Sequence, residues 1–213
     1  MSTASQFIKL INLGFTYVIE TSKQYNIDES HALKHSMEVY GFANRIYENE
    51  IKNNPELEKQ REIICMAAIG HDMCDKKYMN EKEGIENYKK YLSEFISSDD
   101  LEIIGKIIGT MSYSKVKANG YPELGEYQLA YHIVREADLL AAYDIDRCVM
   151  YSMYCYNVHY SKALQLAIEL FENRVFRMRE DKLFKTNYSK KESLKLHKKA
   201  SIDVESLKNA INL

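Results

Sequence analysis

Apolar residues recur along this chain at helical spacing. Over 5–24, Phe7, Ile8, Leu10, Ile11, Phe15, Val18 and Ile19 fall near a 3.6-residue period and predict a helix with one apolar face. Asn26-Ile27-Asp28-Glu29-Ser30 reads as a turn with capping residues. A second helix is predicted over about 30–52, with Leu33, Met37, Val39, Tyr40, Ala43, Ile46 and Tyr47 as its inward stripe. Asn53-Asn54-Pro55 breaks it, and Pro55 suits the first turn of the next helix, which runs from Glu56 to Asp72 or Cys74. That helix contains the unbroken apolar run Ile63-Ile64-Cys65-Met66-Ala67-Ala68-Ile69 and ends on His71-Asp72. After a turn at 76–79, helices are predicted over about 80–96 and, beyond the capping residues 97–100, from Leu101 to Thr110 or Met111. Residues 112–123, with Gly120 and Pro122, read as the longest polar loop and a candidate pocket mouth. The helical pattern resumes at Gly125 and runs to about Tyr143. The Tyr- and Met-rich segment 143–160 predicts a core helix with a candidate homodimer surface. Amphipathic helices at about 161–180, 189–199 and 202–212 complete the chain.

Composition agrees with an all-α fold. Two prolines and eight glycines leave long stretches free of breakers. A length of 213 residues suits one well-packed domain or two small ones. The net charge of −2 argues against a broadly basic nucleic-acid footprint, so no specific nucleic acid is expected as a partner. The Lys-rich stretch from Lys190 to Lys199 reads as a solvated face. Cys65, Cys74, Cys148 and Cys155 form no CxxC pair and read as reduced, mostly buried thiols, which excludes a cysteine-type zinc site. No signal-peptide pattern opens the chain and no apolar run approaches the ~18–20 residues of a membrane span. The expectation is a cytoplasmic protein with no membrane partner.

An apolar run that delivers a histidine and an aspartate to its end creates a physical problem, because a buried charge needs a partner, an ion or a shifted pKa. His35, one helical turn after His31, lies beside the core stripe, and Asp138 lies among Val134, Ala137, Leu139, Leu140, Ala141 and Ala142. For Asp138 an ion pair with Arg135 or Arg147 is the plain alternative. His35, His71, Asp72 and Asp138 together make a nitrogen and oxygen donor set for one divalent ion, suited to Mn2+, Fe2+, Co2+ or Ni2+, with Mg2+ also admissible. His71 and Asp72 point about 100° apart on an ideal α-helix, so joint ligation requires a helix end or a local distortion.

The order H…HD…D on helical elements resembles the HD-domain metal-dependent phosphohydrolases, over roughly residues 25–150. A small bacterial-type subgroup is more similar still. Its HDxxDxK pattern is matched by His71, Asp72, Asp75 and Lys77, and its D-x-x-H-x-x-x-H opening by Asp28, His31 and His35. Its ISY-type segment is matched by Met111-Ser112-Tyr113, and its V-x-(D/E)-A-D run by Val134-Arg135-Glu136-Ala137-Asp138. After that run Leu139 and Ala141 stand where the subgroup usually has Arg and Asp.

The resemblance implies a single HD-type helical bundle with its core over about 25–150 and the C-terminal helices of 151–213 packed on it. It implies His35, His71, Asp72 and Asp138 as ligands of one divalent ion, with Mn2+ favoured, since no histidine occurs from 73 to 131 to hold a second. The implied activity is hydrolysis of a nucleotide or another small phosphate ester or anhydride by a metal-activated water, with pyrophosphate release from nucleoside triphosphates the first to test. Lys77, supported by Lys76 or Lys115, is the expected counter-charge for substrate phosphates. His31 is expected to donate to a phosphate oxygen, and Asp75 to orient the attacking water or hold Lys77, with Glu38 as a weaker candidate for the same work. Tyr113 and Arg135, within the matched segments, are expected on the substrate side. A metal-binding nucleotide sensor without turnover and a nucleic-acid phosphodiesterase are the alternatives.

Overall fold

The computed structural model describes residues 3–210, and among them every regular element is helical. Ten α-helices are joined by short 3-10 and π turns: α1 (Thr3–Tyr25), α2 (Leu33–Glu50), α3 (Arg61–Gly70), α4 (Glu81–Leu92), α5 (Ser98–Thr110), α6 (Tyr113–Asn119), α7 (Gln128–Ala141), α8 (Ile145–Tyr156), α9 (Tyr160–Leu170) and α10 (Asn187–Ala210). The chain is an all-α helical bundle. No described helix is long and apolar enough to cross a membrane.

The bundle is organised around α3. Every residue from Ile63 to Gly70 is buried, as expected of a helix with apolar side chains all round. α1, α2, α5 and α7 pack against it. α2 buries His35, Ser36, Val39, Phe42, Ala43, Ile46, Tyr47 and Glu50, a stripe at helical spacing that faces α3 and α7. α4 packs on α5, α10 packs on α2 and α7, and α8 packs mainly on α9.

Two buried carboxylates lock the C-terminal helix in place. Glu136 of α7 accepts from the Lys185 N–H (2.6 Å), the Thr186 N–H (3.1 Å) and the Thr186 hydroxyl (2.7 Å). Glu50 of α2 accepts from the Asn187 N–H at 3.0 Å. These bonds satisfy donors that a helix start leaves without intrahelical partners.

The structure revises the predicted elements in five places. α2 begins at Leu33, so His31 lies in the preceding turn and not on the same helix as His35. The expected loop 112–123 contains α6, because the Ser112 side chain caps it by accepting from the Lys115 N–H. α8 is not a core helix: it buries Ile145, Val149 and Ser152 and exposes Met153, Tyr154 and Tyr156. The expected helix 161–180 ends at Leu170 and gives way to a π turn, Phe171–Val175, closed by the Phe176 N–H donating to Phe171 O at 2.9 Å. The helices expected at 189–199 and 202–212 are one continuous α10, since Ser201 returns its hydroxyl to His197 O (2.8 Å) and does not cap a new helix. Residues 211 and 212 of that expectation lie outside the described residues.

Candidate metal centre

Three elements of the inner bundle converge on one point. His35 stands in the first turn of α2, Asp138 in the last turn of α7, and His71-Asp72 open a 3-10 turn, His71–Cys74, that continues α3. The tighter 3-10 winding is the helix-end distortion that the adjacent pair requires. Gly70, the residue before it, permits Tyr88 to pass: a Cβ there would lie 2.3 Å from the Tyr88 ring. The Tyr88 hydroxyl then reaches Met66 O at 2.8 Å.

His35 Nε2 lies 3.2 Å from His71 Nε2, 3.2 Å from Asp72 Oδ2 and 3.4 Å from Asp138 Oδ1. His71 Nε2 lies 3.4 Å from Asp72 Oδ2 and 3.8 Å from Asp138 Oδ1. His71 Nδ1 donates to Ala68 O at 2.9 Å, which orients the ring and turns Nε2 to the centre. Asp72 Oδ2 is buried and makes no hydrogen bond. Four donor atoms thus face one another around a space that calls for positive charge. His35, His71 and Asp138 meet the spacing of a metal-binding group.

The electrostatics point the same way. Burial opposes the ionised form of both carboxylates, yet Asp72 is held well below the usual range by His71 and His31, and Asp138 is held low by His35, His71 and Arg147. Burial acts to lower the His71 pKa, but Asp72 and then Asp138 outweigh it and lift it to about 9. Two ionised carboxylates therefore draw a proton onto His71. A divalent ion would supply the same charge and free both imidazoles for ligation. On this count the residues fit a divalent cation.

A polar network adjoins the cluster. Lys77 Nζ lies 3.5 Å from Asp75 Oδ2 and donates to His31 Nε2 at 3.1 Å, and Asp75 Oδ1 accepts from the Lys77 N–H at 2.9 Å. With Nε2 accepting, His31 Nδ1 carries the proton and faces Ser30 Oγ at 2.7 Å and Tyr78 Oη at 3.2 Å. Tyr78 in turn donates to Asp28 Oδ2 at 2.8 Å. Burial, with Lys77, Arg147 and His35 in support and Asp72 opposing, lowers the His31 pKa to about 4. The His31 and His35 ring centroids are 6.3 Å apart.

Several expected substrate residues sit elsewhere. His31 has both nitrogens engaged and holds Lys77; it is not aimed as a phosphate donor. Lys76 is exposed and outside the network. Lys115 pairs with Glu81 and donates to Gly109 O (2.6 Å), which ties α6 to α4 and α5. Arg135 is buried in the opposite service: its Nη1 donates to Leu183 O at 2.9 Å and its guanidinium lies 5.0 Å from the Tyr121 ring. Glu38 is half-buried, and burial followed by Asp144 raises its pKa; it makes no hydrogen bond to the cluster. Tyr113 carries an arginine packed on its ring.

That arginine, Arg174, lies in the π turn, 4.2 Å from the Tyr113 ring centroid. Burial lowers its pKa while Asp138 pulls it up. A second one, Arg147, comes from α8. Asp144 caps that helix by accepting from the Asp146 N–H (3.1 Å) and is tied to α2 through Lys34 at 3.1 Å. Arg147 therefore leans against His35, with Nη1 bonded at Nδ1 and 2.7 Å from Nε2, and lies 3.9 Å from Asp138 Oδ1. The plain alternative for Asp138 is met in part by Arg147 and not by Arg135. Arg174 carried no signal in the sequence, since its position depends on the π turn. Arg147, one turn past a capping Asp144, was legible only as a partner for Asp138.

No family model matches the chain, and no curated protein matches it in sequence. Among solved structures it is similar to the crystal structure of a structural-genomics target from Lactobacillus plantarum, with a TM-score of 0.69 and 19% sequence identity, over 99% of this chain and 98% of that one. At that identity the likeness concerns the fold alone.

Proposed function

We propose that the protein is a metal-dependent phosphohydrolase of the HD-domain type. Its substrate is a nucleotide or another small phosphate ester or anhydride, and pyrophosphate release from nucleoside triphosphates is the first activity to test. One observation carries the reading: four donor atoms, from His35, His71, Asp72 and Asp138, converge within 3.2–3.8 Å contacts, with Arg147 3.9 Å from Asp138 and Lys77 joined to the neighbouring His31. The donor set of two imidazoles and two carboxylates suits Mn2+, with Fe2+, Co2+, Ni2+ or Mg2+ as alternatives. When bound, the ion supplies Lewis-acid polarisation and a water of lowered pKa.

The chain's own groups account for the rest. Lys77, held by Asp75 and His31, and Arg174, held on Tyr113, present positive charge where a phosphate would approach the cluster. Phosphoryl transfer depends mainly on positioning and charge neutralisation, which fixed cations provide. Neutral His31 accepts from Lys77 and so keeps its ammonium directed inward. A second reading, a metal-binding nucleotide sensor, draws on Leu139 and Ala141, both buried, which add no polar group beside Asp138.

The test is metal analysis of the purified protein, followed by phosphate and pyrophosphate release from a nucleotide panel with added Mn2+. The expected result is about one ion per chain and turnover that Asp72→Ala abolishes. Bound metal without turnover selects the sensor reading. Absence of both overturns the proposal.

A further inference from the structure

A second concavity lies between the segment 176–186 and the first two turns of α10. Its volume is about 320 Å3, and Arg179, Lys182, Phe184, Lys185, Lys190 and Ser193 line it. That size falls at the lower end of small-molecule sites, ~300–1,000 Å3. Four of the six residues are cations and none is an acid. Eight lysines elsewhere have a carboxylate partner: Lys34, Lys59, Lys77, Lys89, Lys115, Lys195, Lys199 and Lys208. Among the described residues none of the four lining cations has one. None of the acids close to it in the chain or in the fold lines the space. Glu136 holds the 185–186 backbone, Glu192 pairs with Lys195, and Glu180 and Asp181 are exposed and do not line the space.

Three further features are concentrated here. Arg179 Nη1 is buried without a hydrogen-bond partner. Arg135, 1% exposed, has Nε and Nη2 without partners and shares the Tyr121 ring with Lys185, at 5.0 and 5.3 Å. Lys182 adopts φ of +54°, a left-handed conformation that glycine takes without strain and lysine does not. The surrounding histidines register the positive field. Burial, then Arg135 and Lys185, lowers the His132 pKa to about 4, and burial, then Arg179, lowers that of His197.

We propose that this cavity binds a small polyanion of the di- or triphosphate class, at a site separate from the His/Asp cluster. The two share no residue, and the inference does not rest on the phosphohydrolase reading. Four cations around one small space match an anion of several charges; a single orthophosphate would leave some of them unpaired. Among the lining residues the one aromatic, Phe184, is buried, so the cations and hence the phosphates carry the recognition. The same chemistry could arrive as a free oligophosphate or as the tail of a nucleotide.

Isothermal titration calorimetry of the full-length protein, stripped of metal and kept in chelator, tests this with inorganic tripolyphosphate, ATP and orthophosphate as probes. The expected result is saturable tripolyphosphate binding that weakens with added KCl, comparable binding of ATP, and weaker binding of orthophosphate. The double variant Lys182→Gln/Lys190→Gln should weaken tripolyphosphate binding by ~10-fold or more through loss of two charge-assisted contacts. Both side chains are exposed, and circular dichroism confirms the fold. The proposal fails if tripolyphosphate does not bind saturably, if the double variant binds it as the parent does, or if Asp72→Ala and not the lysine variant removes binding. Binding of ATP without tripolyphosphate also overturns it, because the base would then carry recognition.

Discussion

The candidate ligands and the cations beside them stand on opposite kinds of structure. His35, His71, Asp72 and Asp138 belong to α2, the end of α3 and α7, the helices that bury most of their length and pack on one another. Lys77 lies in the exposed segment after the 3-10 turn, Arg147 on α8, and Arg174 in the π turn. α8 packs mainly on α9 and exposes much of its surface. Ligand geometry must be held to tenths of an ångström, which rigid buried elements provide. Under the proposed phosphohydrolase reading, the division assigns holding the ion to one set and meeting the phosphate to the other, and mutation can test whether the two are separable.

The largest effect is expected within the inner set. His71→Ala removes one imidazole and should abolish stoichiometric metal binding, with turnover falling by ~10³-fold as the activated water is lost. Inductively coupled plasma analysis and phosphate release measure the two. The outer set should behave differently. Lys77→Ala or Arg174→Leu should leave metal content unchanged and lower kcat/KM by ~10²-fold, the loss of a charge-assisted contact to phosphate. Loss of metal in Arg174→Leu would break the division, as would retained metal in His71→Ala.

The inner set was legible in the sequence for a physical reason. An all-apolar helix must be buried, so the ionisable pair at its end had to be accommodated, and His35 and Asp138 sat on stripes facing the same core. The outer set was not. Arg147 meets His35 across 112 positions, and Arg174 is aimed by a π turn that periodicity does not announce. Nor does periodicity decide local competition for backbone groups. Ser112 capped a helix where a loop was expected, while Ser201 returned to its own helix where a break was expected. Lys115, expected to support Lys77, and Arg135, expected from its matched segment, are committed to Gly109 and Leu183.

The next effect probes the inner region without touching a ligand. Gly70→Ala would place a Cβ 2.3 Å from Tyr88 Cε1, and Tyr88 is itself fully buried and bonded to Met66 O. Ring or backbone must move, at a cost of about 2 kcal/mol in folding stability, within the range for overpacked cores. Urea denaturation measures it. Because the same shift would displace the 3-10 turn carrying His71 and Asp72, metal affinity should fall as well. A variant destabilised by that amount with unchanged metal affinity would show that the ligand turn is positioned independently of the Tyr88 contact.

The smallest expected effect concerns pH. His132 lies on α7 but faces Tyr121, with ring centroids 5.1 Å apart, and burial, then Arg135 and Lys185, hold its pKa down to about 4. In the unfolded chain an ordinary histidine takes up its proton near pH 6.5. The folded state therefore binds fewer protons, so stability is fully present above about pH 6.5 and is lost as pH falls towards about 4. Allowing for the partial exposure of the ring, the loss across that window is about 1 kcal/mol. His31, also held down to about 4, acts in the same direction. His132→Gln should thus flatten part of the slope of stability against pH between 6.5 and 4, and leave the slope from His31 in place. Parallel curves for parent and variant, measured by urea melts at stepped pH, would mean that His132 is as free to protonate in the folded chain as in the unfolded one.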